Sequence, residues 1–254
     1  MSDQTVIITG ASRGLGAATA KITAKLGAEV VLNARSEDDL NEVAAEIRES
    51  GGQALVVPGD VSHVEDCWRL VNKALREYGR VDTIVNNAGI IEPIAPIAQG
   101  DPQMWRANVE INILGPVYLT QAALPHLRKR NGRVINVSSG AAVKVVEGWA
   151  AYCATKAALN HFTRVLAAEE AAVTAIAFRP GVVDTELQAT IRAAGEEGMP
   201  AENYEHYVRL HQEGKLLPPE LPGRSLAALS LYAPPSWSGE FISWDEERVR
   251  SLIN

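Results

Sequence analysis

Between Ser139 and Lys156 the chain reads Ser-Gly-Ala-Ala-Val-Lys-Val-Val-Glu-Gly-Trp-Ala-Ala-Tyr-Cys-Ala-Thr-Lys, and three of these side chains form a chemically coherent set. Tyr152 and Lys156 stand four apart in an alanine-rich run that favours helix. That spacing puts both on one helix face. A phenol titrates near pH 10 when unperturbed, too high for easy proton exchange at neutral pH. A lysine cation held beside it favours the phenolate and lowers that value. Ser139 follows the apolar run Arg133–Ser138, which reads as a buried strand, so its hydroxyl stands where strand gives way to loop. The pair is a tunable proton donor, and the serine can hold a carbonyl oxygen. Tyr-x-x-x-Lys is a weak signal alone, and the elements around it decide its meaning.

Those elements alternate. Thr5–Ile8 is a short apolar strand, followed by Thr9-Gly10-Ala11-Ser12-Arg13-Gly14-Leu15-Gly16 and a helical pattern from Ala17 to Leu26. Strand, glycine turn and helix aim backbone N–H groups and a helix dipole at a phosphate. A second strand, Glu29–Ala34, ends without an acid, and Arg35 follows it. An acid there suits a free ribose 2′-hydroxyl and an arginine a 2′-phosphate. Arg35, with Arg13 in the glycine turn, therefore predicts NADPH. Helix Asp38–Ser50 and strand Ala54–Val57 lead to Asp60-Val61, the expected wall of an adenine pocket, where Asp60 can also cap the next helix. Helix Val64–Tyr78 and strand Val81–Val85 precede Asn86-Asn87-Ala88-Gly89, small residues past which a ribose can lie close to the chain.

A long helix is expected from Pro102 to Arg130, with Asn112 in its middle and a kink at Gly115-Pro116. Asparagine is a poor mid-helix residue unless its amide has a partner. A helix from Ala151 to about Glu170, a strand at Val173–Phe178 and Arg179-Pro180-Gly181 follow the Ser-Tyr-Lys stretch. Strands alternating with helices imply a parallel sheet covered on both faces, read as one domain over residues 1–254. Residues 184–222 break the pattern: charged, Gly/Pro-punctuated and partly helical, they are expected to form a substrate lid. His206 and His211 read as lid surface, and Val143, Val145 and Trp149 as residues that set the substrate. A short helix at Leu226–Tyr232 and a strand at Gly239–Ser243 complete the order.

Composition excludes several classes. The 254 residues are 46% hydrophobic and 22% charged, as in a globular protein, and can bury a substantial core. A net charge of -7 argues against nucleic-acid binding, and Arg128-Lys129-Arg130 reads as cations closing a helix. Cys67 and Cys153 give neither a disulfide nor a zinc framework, so no metal is expected. Met-Ser-Asp-Gln shows no signal segment and no apolar run is long enough for a membrane span, so a cytoplasmic protein is expected.

Taken in order, Thr9-Gly10-x-x-x-Gly14-x-Gly16, Asp60, Asn86-Asn87-Ala88-Gly89, Asn112, Ser139, Tyr152-x-x-x-Lys156 and Pro180-Gly181-x-x-x-Thr185 resemble the short-chain dehydrogenase/reductase family along nearly the whole chain. The resemblance implies a Rossmann-type doubly wound parallel sheet of about seven strands, with helices on both faces. It implies a tetrad of Asn112, Ser139, Tyr152 and Lys156. Tyr152 would be the general acid/base, Ser139 would polarise the substrate oxygen, and Asn112 would keep a water linking Lys156 to solvent. Lys156 would bind the nicotinamide ribose. The cofactor, NADPH/NADP+, would lie against Gly10, Ser12, Arg13, Gly14, Leu15, Gly16, Arg35, Asp60, Val61, Asn87, Ala88, Gly89, Tyr152, Lys156, Pro180, Gly181, Val183 and Thr185, with Thr185 on the carboxamide.

Two stretches, Leu166–Thr174 and Arg179–Gln188, are similar to the sepiapterin reductase and benzil reductase branch. The acid by which sepiapterin reductases anchor the pterin aligns with Ser243, two residues before Asp245. The expected activity is NADPH-dependent reduction of a small ketone or 1,2-diketone by a homodimer or homotetramer. The alternatives are an NAD-dependent alcohol dehydrogenase and a non-catalytic NADPH-binding regulator.

Overall fold

The computed structural model describes residues 4–253; residues 1–3, part of the start read above as free of a signal, lie outside them. Strand β1 (Thr5–Thr9) is buried at every position because each alternate side chain meets a different layer of helices. Val6 and Ile8 belong to one core, Ile7 to the other. The first core lies under α1 (Gly14–Lys25), α2 (Glu37–Glu49) and the later α9 (Glu220–Tyr232). The second lies under α3 (Val64–Tyr78), α5 (Gly115–Leu127) and α6 (Ala150–Glu169).

The sheet is parallel throughout. Strands β2 (Glu29–Asn33), β3 (Gln53–Val56), β4 (Thr83–Asn86), β5 (Arg133–Val137), β6 (Thr174–Arg179) and β7 (Phe241–Ser243) join β1 in the order β3-β2-β1-β4-β5-β6-β7. The order reverses between β1 and β4, which opens a crevice at the carboxyl ends of the strands where α/β folds bind ligands. This is the doubly covered parallel sheet that the alternating pattern predicts, with the seven strands that the family resemblance implies.

The single long helix does not form as expected. Helix α4 (Pro102–Val109) runs into a π turn, Glu110–Leu114, before α5 begins at Gly115. Pro116 has no N–H for the carbonyl of Asn112 four residues back, and the ladder shifts register around that residue. The break therefore centres on Asn112, ahead of Gly115-Pro116. Residues 184–222 also differ, being more helical than their composition suggests. They form α7 (Glu186–Gly198) and α8 (Ala201–Gln212), and α9 begins at Glu220 and so is longer than the helix expected at 226–232. Helix α10 (Glu247–Arg250) follows β7.

Candidate active site

Strand β5 delivers Ser139. The residue is extended and caps a 3-10 turn, Gly140–Ala142, its Oγ accepting from the Ala141 amide at 3.1 Å. Helix α6 delivers the other two from its first two turns. Tyr152 is 7% exposed and Lys156 4% exposed. The Lys156 ammonium donates to the Val137 carbonyl at 2.8 Å and stands 5.6 Å from the centroid of the Tyr152 ring.

Burial governs both groups, since a low-dielectric surround disfavours the charged form of each. It pushes the Tyr152 phenol up to about 12, against a hydrogen bond with Ser139 that favours ionisation. It brings the Lys156 ammonium down to about 8. The lowered phenol expected from the Tyr-Lys spacing is thus corrected: burial raises the phenol, and the opposing influence comes from the Ser139 hydrogen bond.

Asn112 lies behind this pair, fully buried. Its Oδ1 accepts from the Ile90 amide at 3.0 Å, and its Nδ2 donates to the Ile90 carbonyl at 2.9 Å and to Asn108 Oδ1 at 2.8 Å. The Thr155 hydroxyl also reaches Asn108 Oδ1 at 2.8 Å, and Asn108 Nδ2 donates to the Glu92 carbonyl at 2.7 Å. The amide therefore ties α4 and the π turn to the loop after β4 and to α6. A β-carbon built on Gly89 would lie 3.1 Å from Asn112 Oδ1 and 3.5 Å from Lys156 Nζ, so both side chains press on that loop. Sequence reading missed Asn108 and Thr155. Asn108 carried a usable signal, standing four residues before Asn112 on the same helical face.

One cavity of about 920 Å³ runs along the carboxyl edge of the sheet. It gathers Ser139, Tyr152 and Lys156 with every predicted cofactor residue: Gly10, Ser12, Arg13, Gly14, Leu15 and Gly16 from the turn after β1, Arg35 after β2, Asp60 and Val61 after β3, Asn87, Ala88 and Gly89 after β4, and Pro180, Gly181, Val183 and Thr185 after β6. Of the predicted catalytic and cofactor residues, Asn112 alone does not line it. Asp60 does not cap α3, whose N-cap is His63; its carboxylate instead accepts from the Ser62 amide and hydroxyl and closes the preceding turn. Burial raises the Asp60 carboxyl, but those bonds, His63 and Arg35 together hold it below its usual value.

The glycine end of the cavity fits a dinucleotide. Helix α1 starts at Gly14 with neither a side-chain cap nor an acid in its first turn, so its leading N–H groups are left for an anion. Asn87 Nδ2 holds the turn closed through the Thr9 and Gly10 carbonyls at 2.9 and 3.2 Å. A β-carbon at Gly16 would lie 2.1 Å from the Gly10 oxygen, so only glycine permits this close approach. Arg13 and Arg35 are both exposed at the cavity's edge.

The other end is built by residues the sequence reading largely overlooked. Trp149 is there as expected, but Val143 and Val145 point outward, 64% and 93% exposed, and the intervening Lys144 and following Val146 line the cavity instead. His206, read as lid surface, is exposed yet borders the cavity beside Tyr207, while Gln188, Arg179, Trp244 and Asp245 complete its rim.

The model for short chain dehydrogenases matches residues 4–196. The chain belongs to that family. Relatives extend the match over nearly its full length. An uncharacterized oxidoreductase of Saccharomyces cerevisiae is 35% identical, covering 98% of each chain. A Bacillus cereus benzil reductase that forms (S)-benzoin is 36% identical over 95% of this chain and 99% of its own. A benzil reductase of Saccharomyces cerevisiae is 35% identical over 96% of this chain and 97% of its own. The benzil reductases among these relatives match the branch that the Leu166–Thr174 and Arg179–Gln188 stretches resemble. Among solved structures, the KRED1-Pglu enzyme superposes with a TM-score of 0.90 at 37% identity, covering 94% of this chain and 100% of that one. This short-chain dehydrogenase is an oxidoreductase of the nicotinamide-dependent kind, and among the described residues no helix is long and apolar enough to cross a membrane.

Proposed function

We propose that the protein is an NADPH-dependent carbonyl reductase acting on a ketone or 1,2-diketone, with the 184–222 segment as its substrate lid. The observation that carries the reading is the meeting, in one cavity, of Ser139, Tyr152 and Lys156 with an uncapped, glycine-lined helix start. The benzil reductases among its relatives support the diketone class.

The residues divide the work. The α1 N-terminus and the 10–16 turn would hold the pyrophosphate, and Arg13 and Arg35 the 2′-phosphate. Thr185 and the backbone at Val183 would hold the carboxamide. The chemistry that such a cofactor would supply is a hydride for the carbonyl carbon. Ser139 donates to the carbonyl oxygen and so polarises it, and Tyr152 delivers its proton to that oxygen as charge develops. A phenol kept protonated by burial is ready for this direction, whereas oxidation would first need the phenolate. Lys156, with one of its three donors on Val137, has the others free for ribose hydroxyls and for the field that stabilises the transient phenolate. Asn112 holds the loop and helix in register, and its carbonyl, without a helical partner at Pro116, is placed to keep a water that resupplies the proton. The protein acts as a homodimer or homotetramer in the cytoplasm.

The test follows NADPH oxidation with benzil, 1-phenyl-1,2-propanedione, sepiapterin, acetoacetyl esters and simple aldehydes. Turnover of the diketones is expected; tight NADPH binding with silence across the panel overturns the reading. Cofactor choice has its own test. Arg35→Ala is expected to lower kcat/KM for NADPH about tenfold or more, the scale of one charged contact, while kcat/KM for NADH moves little. An equal loss with both cofactors would remove Arg35 from 2′-phosphate recognition.

A further inference from the structure

The ring of Tyr207, on α8, stacks on Trp149 with centroids 4.9 Å apart and planes 30° apart. Trp149 in turn meets Tyr152 edge-on at 6.1 Å and 89°. Both Trp149 and Tyr207 line the cavity that holds Ser139 and Tyr152, and Ile91, Val146 and Leu187 add apolar surface beside them. Trp149 is 5% exposed, and its indole Nε1 has no hydrogen-bond partner. Its contribution here is therefore a ring face, not a donor.

Backbone approaches bring α8 to this place. Gly198, at the end of α7, lies so close to the Ile94 carbonyl that a β-carbon would stand 2.0 Å from its oxygen. The Gly198 carbonyl is itself packed on Gly148, just before Trp149. The ring of Tyr204 covers Gly195, and its hydroxyl donates to the Arg192 carbonyl at 3.1 Å, which fixes α8 on α7. Tyr207 is three residues on from Tyr204 and so shares its helix face, now directed at Trp149.

We infer that Tyr207 is a specificity-determining residue: with Trp149 it forms an aromatic wall that selects carbonyl compounds carrying a flat aryl ring next to the reacting carbon. The inference deepens the carbonyl-reductase reading and rests on it for the chemistry at that carbon. An aryl group gains both apolar burial and ring–ring geometry on such a wall, whereas an alkyl group gains burial alone.

The experiment compares kcat/KM for 1-phenyl-1,2-propanedione with that for 2,3-butanedione in wild type, Tyr207→Phe, Tyr207→Leu and Tyr207→Ala. Equilibrium dialysis of benzil against the NADP+-loaded enzymes runs in parallel. The aryl-to-alkyl ratio is expected to fall about tenfold in the Leu and Ala variants and to stay within about threefold in Phe, because the ring and not the hydroxyl does the selecting. Tyr207→Leu keeps apolar bulk, so it decides the matter if Tyr207→Ala fails to fold. An unchanged ratio in Leu, or a loss in Phe equal to that in Leu, overturns the assignment. If wild type reduces no diketone, the reductase reading fails separately and dialysis decides the wall. Benzil binding weakened about tenfold in Tyr207→Leu upholds it; absent or unaltered binding overturns it.

Discussion

Tyr152→Phe is expected to lower kcat for carbonyl reduction by about 10²–10⁴-fold, the usual contribution of a positioned acid or base, with NADPH affinity nearly unchanged. The variant removes one buried hydroxyl, whose partner is the Ser139 side chain, and keeps the ring that packs against Trp149. Folding is therefore retained, and the loss falls on the proton step. Stopped-flow or steady-state turnover, with cofactor fluorescence as the binding control, makes the comparison. A kcat within tenfold of wild type would mean that another group protonates the oxygen.

Lys156→Met is expected to abolish most activity and yet to stabilise the fold at neutral pH. A lysine whose value falls from 10.5 to about 8 on folding carries a cost of about 3 kcal/mol below pH 8, because the unfolded chain binds its proton more tightly. Losing the bond to Val137 leaves that carbonyl unpaired, which returns about 1 kcal/mol of the gain. A net stabilisation of about 2 kcal/mol is expected at pH 7. The sign follows from linkage. Between pH 8 and 10.5 the unfolded chain binds more protons than the native one at this site, so wild-type stability rises with pH there and the gap to Met closes. Denaturant titrations of both proteins at pH 7 and pH 9.5 measure it. A Met variant less stable than wild type at pH 7 would show that the ammonium is better paired than its burial indicates. The protein on this account bears a costly buried charge because its chemistry uses it.

Particular elements show how far the residue pattern could be read. Helix α3 and strand β5 fall where the sequence puts them, Val64–Tyr78 and Arg133–Val137. In α3 the apolar face repeats at helical spacing, and Gly79 closes the helix with φ +73°. The 184–222 segment was poorly legible because Gly195 and Gly198 look like chain breakers. Their role is contact, with a tyrosine ring and a carbonyl respectively, and no local rule reports a contact across distant segments. Tyr207 gave no signal at all for the same reason: one tyrosine on a charged helix acquires meaning only through Trp149, far away in sequence. The π turn was half legible. Asn112 and Pro116 were both noticed, but the missing Asn112–Pro116 hydrogen bond places the break a residue cluster earlier than the glycine did.

The sequence by itself determined the parallel sheet covered on both faces, the family, and the cofactor-end residues that meet Ser139, Tyr152 and Lys156 in the cavity. These follow from local periodicity, glycine placement and ordered motifs, properties carried along the chain. Only the tertiary structure decided the protonation balance at Tyr152 and Lys156 and the identity of the aromatic wall. Desolvation depends on everything that surrounds a group, and a stacked pair depends on two helices arriving at one place. Neither is a property of any single stretch of residues.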